Sequence, residues 1–385
     1  MKQALIIGSG FSGSVCARVL AEQGYQIQVI ERRSHIGGNM YDYPNPDGVV
    51  IQQYGPHIFH TNIERVITFL SKFTSWFPYE HRVLGHIDGQ LVPIPFNLRS
   101  LELLYSEKEA SYIKEILVRE VGMGKKVPIL ELKKHRDSQI RAFADYVYEK
   151  VFYHYTVKQW GMAPEQLNPA VMNRVPVYVS YEDRYFLDQF QMMPSNGFTP
   201  MFTSMLAHPN IQISLECDAK DHLFFDHRQQ KVRWDGKEIN GPIIYTGAID
   251  ELMDNQLGKL PYRTLRFEME DHAVSSYQPV AVVNYPNTEN YTRISEFTKF
   301  TSEKTLPSTV IMKEYPSSWK TGDIPYYPIE IEPNLQLHKS YLALLKPFQN
   351  FYPLGRLAAY KYINMDAAVL FALQLCDQII KQAQD

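Results

Sequence analysis

Hydrophobic and polar positions alternate near the start of the chain in the order strand, helix, strand. Ala4 to Ile7 is a short apolar run that predicts a buried strand, and Ile27 to Ile30 predicts a second one. Apolar residues recur between them at helical spacing, and the predicted helix ends at Gly24. Its apolar stripe comprises Val15, Ala17, Val19 and Leu20. The pattern predicts a βαβ unit of a Rossmann-like α/β domain.

The pattern changes twice further along the chain. From about Leu98 to Met162, apolar residues lie three and four positions apart, which predicts an inserted helical domain. The second half contains short apolar runs that are typical of strands. These predicted strands are Val175 to Val179, Ile211 to Leu215, Val232 to Trp234, Ile243 to Thr246, Leu265 to Met269, Val280 to Asn284 and Thr309 to Met312. A last helix is predicted from Asp366 to about Lys381, with Val369, Leu373, Cys376 and Ile380 as its apolar stripe.

Length and composition favour a folded protein of two or three domains, because 385 residues are too many for one compact core. The net charge is -3 and no long run of Lys or Arg occurs, so we expect no nucleic acid partner. Cys16, Cys217 and Cys376 lie far apart without a C-x-x-C pair, which favours a reducing cytoplasm. We expect neither secretion nor membrane insertion, because no basic leader and no run of about 18 apolar residues occur.

Three glycines between the first strand and the first helix indicate a dinucleotide site. Gly8, Gly10 and Gly13 form G-x-G-x-x-G, which lets the backbone approach a pyrophosphate at a helix N-terminus. Glu31 follows the second strand at the distance expected of an acid that binds a ribose hydroxyl. NAD, NADP and FAD all fit this motif, and Arg32 and Arg33 would suit a 2′-phosphate.

Later segments resemble one family of flavoproteins. Glu31 to Asn39, with a second glycine pair, resembles the extended fingerprint of FAD proteins related to amine oxidases. His57 and His60 have no carboxylate or cysteine beside them, so a metal site is not expected. Their segment, H-I-F-H-T-N, is similar to one in UDP-galactopyranose mutases of the bacterial type. Further similar segments, in the family's order, begin at Tyr155, Arg174, Tyr291, Lys313, Pro325, Gly355 and Tyr360.

The resemblance implies a fold of three parts. It implies an FAD-binding domain made of residues 1–78, 191–255 and 345–385, and a helical domain at 98–168 with a mobile substrate loop at about 161–175. Residues 79–97, 170–190 and 256–344 would form an antiparallel β-sheet domain. The family also implies a homodimer. The expected fold class is α/β, with a Rossmann-like FAD-binding domain beside these two domains.

The resemblance further implies a redox-neutral isomerase that interconverts UDP-galactopyranose and UDP-galactofuranose. No nucleophile elbow or glycosidase carboxylate pair is evident in the sequence, which favours the cofactor as nucleophile. The family's scheme uses N5 of reduced FAD, as FADH⁻, which displaces UDP and forms a sugar adduct. The enzyme would be an intramolecular transferase with a UDP-sugar as its substrate.

Site residues are carried over from the family segments. Expected catalytic residues are Arg174, Arg293 and His60. Expected substrate-binding residues are Tyr155, Thr156 and Trp160 near the uracil, Arg174, Arg293, Tyr185, Tyr327 and Tyr362 at the diphosphate, and Glu314 and His81. Expected cofactor-binding residues are Gly8, Gly10, Phe11, Ser12, Gly13, Glu31, Arg32, Gly38, Asn39, His57, His60, Arg356, Tyr362, Asn364 and Met365. The helix that begins near Asp366 would direct its positive end at the flavin.

Two positions depart from the family's pattern and leave the sugar open. Asn364 stands where an aspartate is usual, and His81 stands where an asparagine faces the sugar. UDP-N-acetylgalactosamine or a dTDP-deoxysugar therefore competes with UDP-galactose as the expected substrate. The residues also leave three further classes of protein open: an FAD oxidoreductase of the amine oxidase type, a glycosyltransferase, and a flavin-binding protein without activity.

Overall fold

The computed structural model describes residues 2–166, 176–302 and 306–384. The α-helices are Phe11–Glu22, Glu64–Leu70, Leu98–Leu104, Glu107–Glu120, Ile129–Leu132, Ser138–Val147, His154–Trp160, Phe198–Leu206, Ile249–Leu252, Glu332–Leu345, Gly355–Ala358 and Met365–Gln382. A π-helix spans Tyr148–Tyr153, and short 3₁₀-helices span Gly38–Met40, Pro164–Gln166, Ala219–Asp221 and Phe297–Phe300. No helix among these residues is long and apolar enough to cross a membrane.

A five-stranded parallel sheet forms the first layer. Its strands in spatial order are Ile211–Ser214, Gln26–Ile30, Gln3–Ile7, Ile243–Tyr245 and Phe351–Pro353. Apolar side chains such as Ile6 and Val29 are fully buried, as expected for strands that are covered on both faces. This sheet confirms the Rossmann-like fold and the predicted βαβ unit.

Helix Phe11–Glu22 packs against the last helix, Met365–Gln382, beside this sheet. The sequence predicts this last helix from Asp366 to about Lys381. Val369, Leu373 and Cys376 of its predicted stripe are buried, but Ile380 is only half-buried. Ile379 is buried instead, because it lies three residues after Cys376 on the same side of the helix.

The helical region begins at Leu98, as predicted, but contains several short helices rather than continuous ones. Strand Lys126–Val127 interrupts it and pairs with Val177–Tyr178. The sequence predicts a strand from Val175 to Val179, and the structure shows a shorter one at Val177–Tyr178. Val175 lies outside the described residues. The π-helix leads directly into helix His154–Trp160, the helix that carries Tyr155 and Trp160.

A seven-stranded sheet forms the other main layer. Its strands in spatial order are Tyr327–Pro328, Tyr262–His272, Thr309–Ser318, Arg293–Glu296, Val282–Asn284, Val83–Ile87 and Gln90–Ile94. Neighbouring strands in this sheet run antiparallel, except that Val282–Asn284 and Val83–Ile87 run parallel. The sheet of the expected antiparallel domain is therefore mixed. Strands Tyr262–His272 and Thr309–Ser318 pair with each other and are longer than the predicted strands Leu265 to Met269 and Thr309 to Met312.

The remaining strands form smaller sheets. Phe59–Thr61, Phe190–Pro194 and Trp76–Pro78 form a three-stranded antiparallel sheet. Leu223–Asp226, Lys231–Trp234 and Lys237–Glu238 form another, and Asp42–Pro44 pairs with Val50–Gln52. The bounds of the three expected domains stay a prediction.

Candidate functional site

Two glycines of the first turn leave no room for a side chain. Gly8 has a φ of +98°, and a Cβ atom there would lie 2.0 Å from Thr246 Oγ1. A Cβ atom at Gly13 would lie 1.9 Å from the Gly8 carbonyl oxygen. Gly10 differs, because the nearest heavy atom to its Cβ position is Gly38 Cα, at 3.9 Å. Gly8 and Gly13 thus shape the turn, while the space beside Gly10 is open.

A long cavity begins at this turn and extends along the carboxyl ends of the parallel strands. Expected cofactor-binding residues that line it are Gly8, Gly10, Phe11, Ser12, Glu31, Arg32, Gly38, Asn39, His57, Arg356, Asn364 and Met365. Gly13, His60 and Tyr362 are not among its lining residues. Lining residues that the sequence analysis did not assign include Arg33, Cys217, Asp218, Thr246 and Tyr326.

Glu31 is buried and held by its neighbours at the wall of the cavity. Its carboxylate accepts hydrogen bonds from Ser9 N and Ser9 Oγ, at 2.9 and 2.7 Å, and from Arg33 N at 3.0 Å. Arg32 forms an exposed ion pair with Glu251. Arg33 stacks on Tyr54 with 4.3 Å from Cζ to the ring centroid, and its Nη1 is buried without a hydrogen-bond partner in the described chain. An anionic group of a bound dinucleotide would give this atom an acceptor.

The far end of the cavity combines a neutral histidine, an arginine and a helix N-terminus. Burial, with help from Arg356 and Arg293, lowers the pKa of His57 to about 3, and its buried Nδ1 has no partner among the described residues. Arg356 donates to the carbonyl oxygen of Ile363 at 2.8 Å. Met365, at the start of the last helix, lines the cavity, so the positive end of the helix dipole faces it. These groups fit the polar edge of a flavin ring.

Arg293 and Glu314 form an ion pair on adjacent strands of the mixed sheet. Arg293 Nε and Nη2 donate to Glu314 Oε2 at 2.8 and 2.6 Å, and Glu314 is only 2% exposed. Burial lowers the pKa of Arg293, but the charge and hydrogen bond of Glu314, together with Tyr155 and Tyr327, raise that pKa overall. The guanidinium therefore stays charged, and its Nη1 makes no hydrogen bond within the described residues.

Several expected substrate-binding tyrosines surround this ion pair. Burial raises the pKa of Tyr155 and of Tyr327, and the charges of Arg293 and Glu314 also act on both hydroxyls. The Tyr327 ring lies 5.6 Å from that of Tyr362 and 6.1 Å from that of Trp160. The hydroxyls of Tyr155 and Tyr327 are therefore protonated hydrogen-bond donors in the physiological pH range. A charged arginine surrounded by neutral hydroxyl donors suits a diphosphate.

His60 and His81 both stack on Phe186 and do not line the cavity. The centroid of the His60 ring is 3.6 Å from that of Phe186, and the centroid of the His81 ring is 5.9 Å from it. His60 Nδ1 is 2.9 Å from Asp188 Oδ2. His81 is 4% exposed, lies 3.3 Å from Tyr79 Oη through its Nδ1, and packs against Tyr185. The sequence analysis missed Asp188, since no motif marks it.

Thr156 and Arg174 complete the expected substrate-binding residues. Thr156 is half-buried on helix His154–Trp160. Arg174 lies outside the described residues, as does most of the expected substrate loop.

Comparison with known proteins decides the family. Residues 150–362 match the family model of UDP-galactopyranose mutase, and residues 6–73 match that of an NAD(P)-binding Rossmann-like domain. A probable UDP-galactopyranose mutase of Klebsiella pneumoniae is 36% identical over 98% of this chain and 95% of its own length. The chain belongs to the UDP-galactopyranose mutase family.

UDP-galactopyranose mutases are flavin-dependent isomerases of the intramolecular transferase class, and this chain is an enzyme of that class. A dTDP-fucopyranose mutase of Escherichia coli is 34% identical over the whole of both chains. A crystal structure of reduced UDP-galactopyranose mutase superimposes with a TM-score of 0.73 at 14% identity, over 100% of this chain and 95% of the other. That likeness confirms the fold.

The buried His81 of this mutase should make its stability sensitive to acid. Burial lowers the pKa of His81 to about 3, whereas an unfolded chain returns it to about 6.5. The unfolded state therefore binds the proton first, and His81 alone accounts for about 2 kcal/mol of lost stability between pH 7 and pH 5. We expect thermal midpoints to fall less over this interval in His81→Asn than in the parent enzyme. Equal falls in both proteins would show that His81 is not buried as a neutral group.

Proposed function

We propose that this enzyme interconverts UDP-galactopyranose and UDP-galactofuranose with reduced FAD as its cofactor. The observation that carries the proposal is the position of His57, which lines the cavity and whose pKa is lowered by burial and by the charges of both Arg356 and Arg293. Arg356, which lines the cavity, and Arg293, which belongs to the proposed diphosphate site, are therefore both close to His57. An anomeric carbon next to the diphosphate would thus be close to the cofactor.

Arg293 binds the diphosphate in this proposal. A charged guanidinium gives strong hydrogen bonds to phosphate oxygens, and one that is held by Glu314 loses little freedom when it does so. Tyr185, Tyr327 and Tyr362 donate their hydroxyls to the same group. Arg174 supplies a second cation from the substrate loop. The negative charge that develops on the departing diphosphate is stabilised by these donors.

Reduced FAD, when bound, supplies N5 as the nucleophile that takes the place of the diphosphate at the anomeric carbon. The chain favours the anionic reduced form in two ways. Arg356 carries a positive charge beside the cavity, and the last helix presents its N-terminus there. Glu31 binds the adenosine ribose, and the open space at Gly10 admits the pyrophosphate. His60, which is held by Asp188 and does not line the cavity, is the proposed catalytic imidazole on the ground of the family resemblance alone.

A second substrate class has a specific observation in its favour. His81, which the family's pattern would make an asparagine, is a larger side chain that contacts Tyr79, Phe186 and Phe300, so a different sugar is the proposed consequence of this substitution. The full-length relative that is a dTDP-fucopyranose mutase makes a dTDP-deoxysugar the first alternative substrate. UDP-N-acetylgalactosamine is the next, and amine oxidation is disfavoured by the charged cluster.

The test is an equilibrium assay of the purified, reduced enzyme with UDP-galactofuranose, dTDP-fucofuranose and UDP-N-acetylgalactosamine in parallel. Chromatography separates each furanose from its pyranose form. We expect the fastest conversion with UDP-galactofuranose. Faster conversion of dTDP-fucofuranose would assign the enzyme to the second class, and no conversion of any of them would overturn mutase activity.

Cellular location and assembly belong to the same proposal. We infer a cytoplasmic homodimer from the family resemblance. Cys16, Cys217 and Cys376 are free thiols in the structure, which is consistent with a reducing compartment.

A further inference from the structure

Two cations hold the end of helix His154–Trp160, which carries Tyr155 and Trp160. Lys158 lies on this helix, and Arg263 lies on the sheet strand Tyr262–His272. Each hydrogen bond that the described residues give these two cations ends on a neutral oxygen atom. Arg263 is buried and Lys158 is half-buried. Hydrogen bonds to neutral oxygen atoms alone are unusual for a buried cation, which normally pairs with a carboxylate.

Arg263 binds the last carbonyl groups of the helix. It is 4% exposed, its Nε donates to Gln159 O at 2.8 Å, and its Nη2 donates to Lys158 O at 3.1 Å. Its Nη1 donates to Ser318 Oγ at 3.1 Å. A Cβ atom at Gly161, where the helix ends, would lie 2.7 Å from Nη1. The guanidinium thus caps the negative end of the helix and fills the space that glycine leaves.

Lys158 joins the same helix to the segment before strand Arg293–Glu296. Its Nζ donates to the carbonyl oxygens of Tyr285, Glu289 and Tyr291 at 2.6, 2.8 and 3.4 Å. These three acceptors use all the donors that an ammonium group has. Tyr291 lies two residues before Arg293, so the ammonium group fixes the approach to that strand.

Both cations therefore connect the base-binding helix to the strands that carry the diphosphate-binding side chains. In the sheet register, Arg263 lies opposite Tyr327. Lys158 reaches the segment that leads to Arg293. A nucleoside diphosphate allows only a limited range of distances between its base and its phosphates, so both halves of the site bind it well only when their separation falls within that range.

We propose that Lys158 and Arg263 are positioning residues that set the distance between the base-binding helix and the diphosphate cluster. This inference rests on the proposed function, because it takes a nucleoside diphosphate as the ligand. It assigns these residues no contact with substrate. Their effect is on ligands that occupy both halves of the site.

The test compares UDP with uridine in the FAD-loaded enzyme, by titration calorimetry for UDP and by ligand-observed NMR for uridine. Lys158→Met removes the three carbonyl contacts, and Arg263→Lys keeps the charge but cannot reach both helix carbonyls. We expect each variant to bind UDP about tenfold more weakly, because the base-binding helix and the diphosphate cluster would no longer be held at the distance that UDP spans. Uridine, which needs only the helix, should bind within about twofold of the parent value. The flavin absorbance spectrum should not change.

Matched controls are Lys150→Met and Arg266→Lys, two partly exposed cations nearby that pair with Asp88 and Glu268. Both should bind UDP as the parent does. Unchanged UDP affinity in Lys158→Met and Arg263→Lys, or an equal loss of affinity for UDP and for uridine, would overturn the positioning role of these residues. It would leave the proposed function standing. A parent enzyme that binds neither UDP nor dTDP would overturn the proposed function first. If it binds dTDP only, the same comparison is made with dTDP and thymidine.

Discussion

Arg293→Ala should lower kcat/KM for the nucleotide sugar by about 10²- to 10³-fold or more, while the enzyme keeps its flavin. Among the described residues, the guanidinium of Arg293 is the cation proposed to bind the diphosphate. Without it, the negative charge that develops on the diphosphate in the transition state would lose its nearest stabilising group. Arg293 is not among the residues that line the cofactor cavity, so the flavin spectrum should be unchanged. Initial rates on the reduced enzyme and an absorbance spectrum measure both effects.

The variant also leaves Glu314 without its partner at 2% exposure, which should reduce stability by about 3 to 5 kcal/mol. The double variant Arg293→Met/Glu314→Gln separates this loss from the loss of rate, because it removes both charges. It should regain thermal stability and remain as slow as Arg293→Ala. Arg266→Ala on the same sheet, which is exposed and pairs with Glu268, is the control and should be fully active. Near-normal turnover of the double variant would exclude Arg293 from the diphosphate site.

Two alanine substitutions in the glycine turn should affect different properties: Gly13→Ala should lower stability, and Gly10→Ala should weaken FAD binding. Gly13→Ala places its Cβ atom 1.9 Å from a backbone oxygen, which no rotation of a side chain can relieve. It should destabilise the fold by about 3 kcal/mol or more. Gly10→Ala adds a Cβ atom with nothing nearer than 3.9 Å, at a φ of -73° that alanine adopts freely.

The apo-protein of Gly10→Ala should therefore unfold within about 0.5 kcal/mol of the parent, but FAD should bind at least about tenfold more weakly. The added methyl group would stand where the pyrophosphate approaches the backbone. Thermal unfolding of both apo-proteins and titration with FAD measure these effects. Normal FAD affinity in Gly10→Ala would show that the cofactor does not cross the turn at this point.

The cofactor half of the site could be predicted from the sequence because its determinants are local. Gly8, Gly10, Gly13 and Glu31 lie within one βαβ unit, where spacing along the chain fixes spacing in the fold. Arg356 and Met365 come from the far end of the chain, and only the family resemblance could assign them. The fold class followed from the same combination.

Several features depend on contacts between distant segments, which periodicity does not record. The parallel pairing of Val282–Asn284 with Val83–Ile87 joins segments nearly two hundred residues apart. The aromatic side chains around His81 come from segments about one hundred and more than two hundred residues further along the chain, and its expected contact with the sugar stays a prediction. Lys158 belongs to a recognised motif, but its role depends on carbonyl groups of the 285–291 segment, and any residue can supply a carbonyl.

We propose that this enzyme uses reduced flavin for a reaction without net oxidation. Conversion of UDP-galactofuranose by the purified yellow protein, with and without dithionite and followed to equilibrium by chromatography, tests this proposal. We predict conversion to UDP-galactopyranose with dithionite and almost none without it. Equal conversion by the oxidised and reduced protein, or a purified protein without flavin absorbance, would contradict a role for reduced flavin.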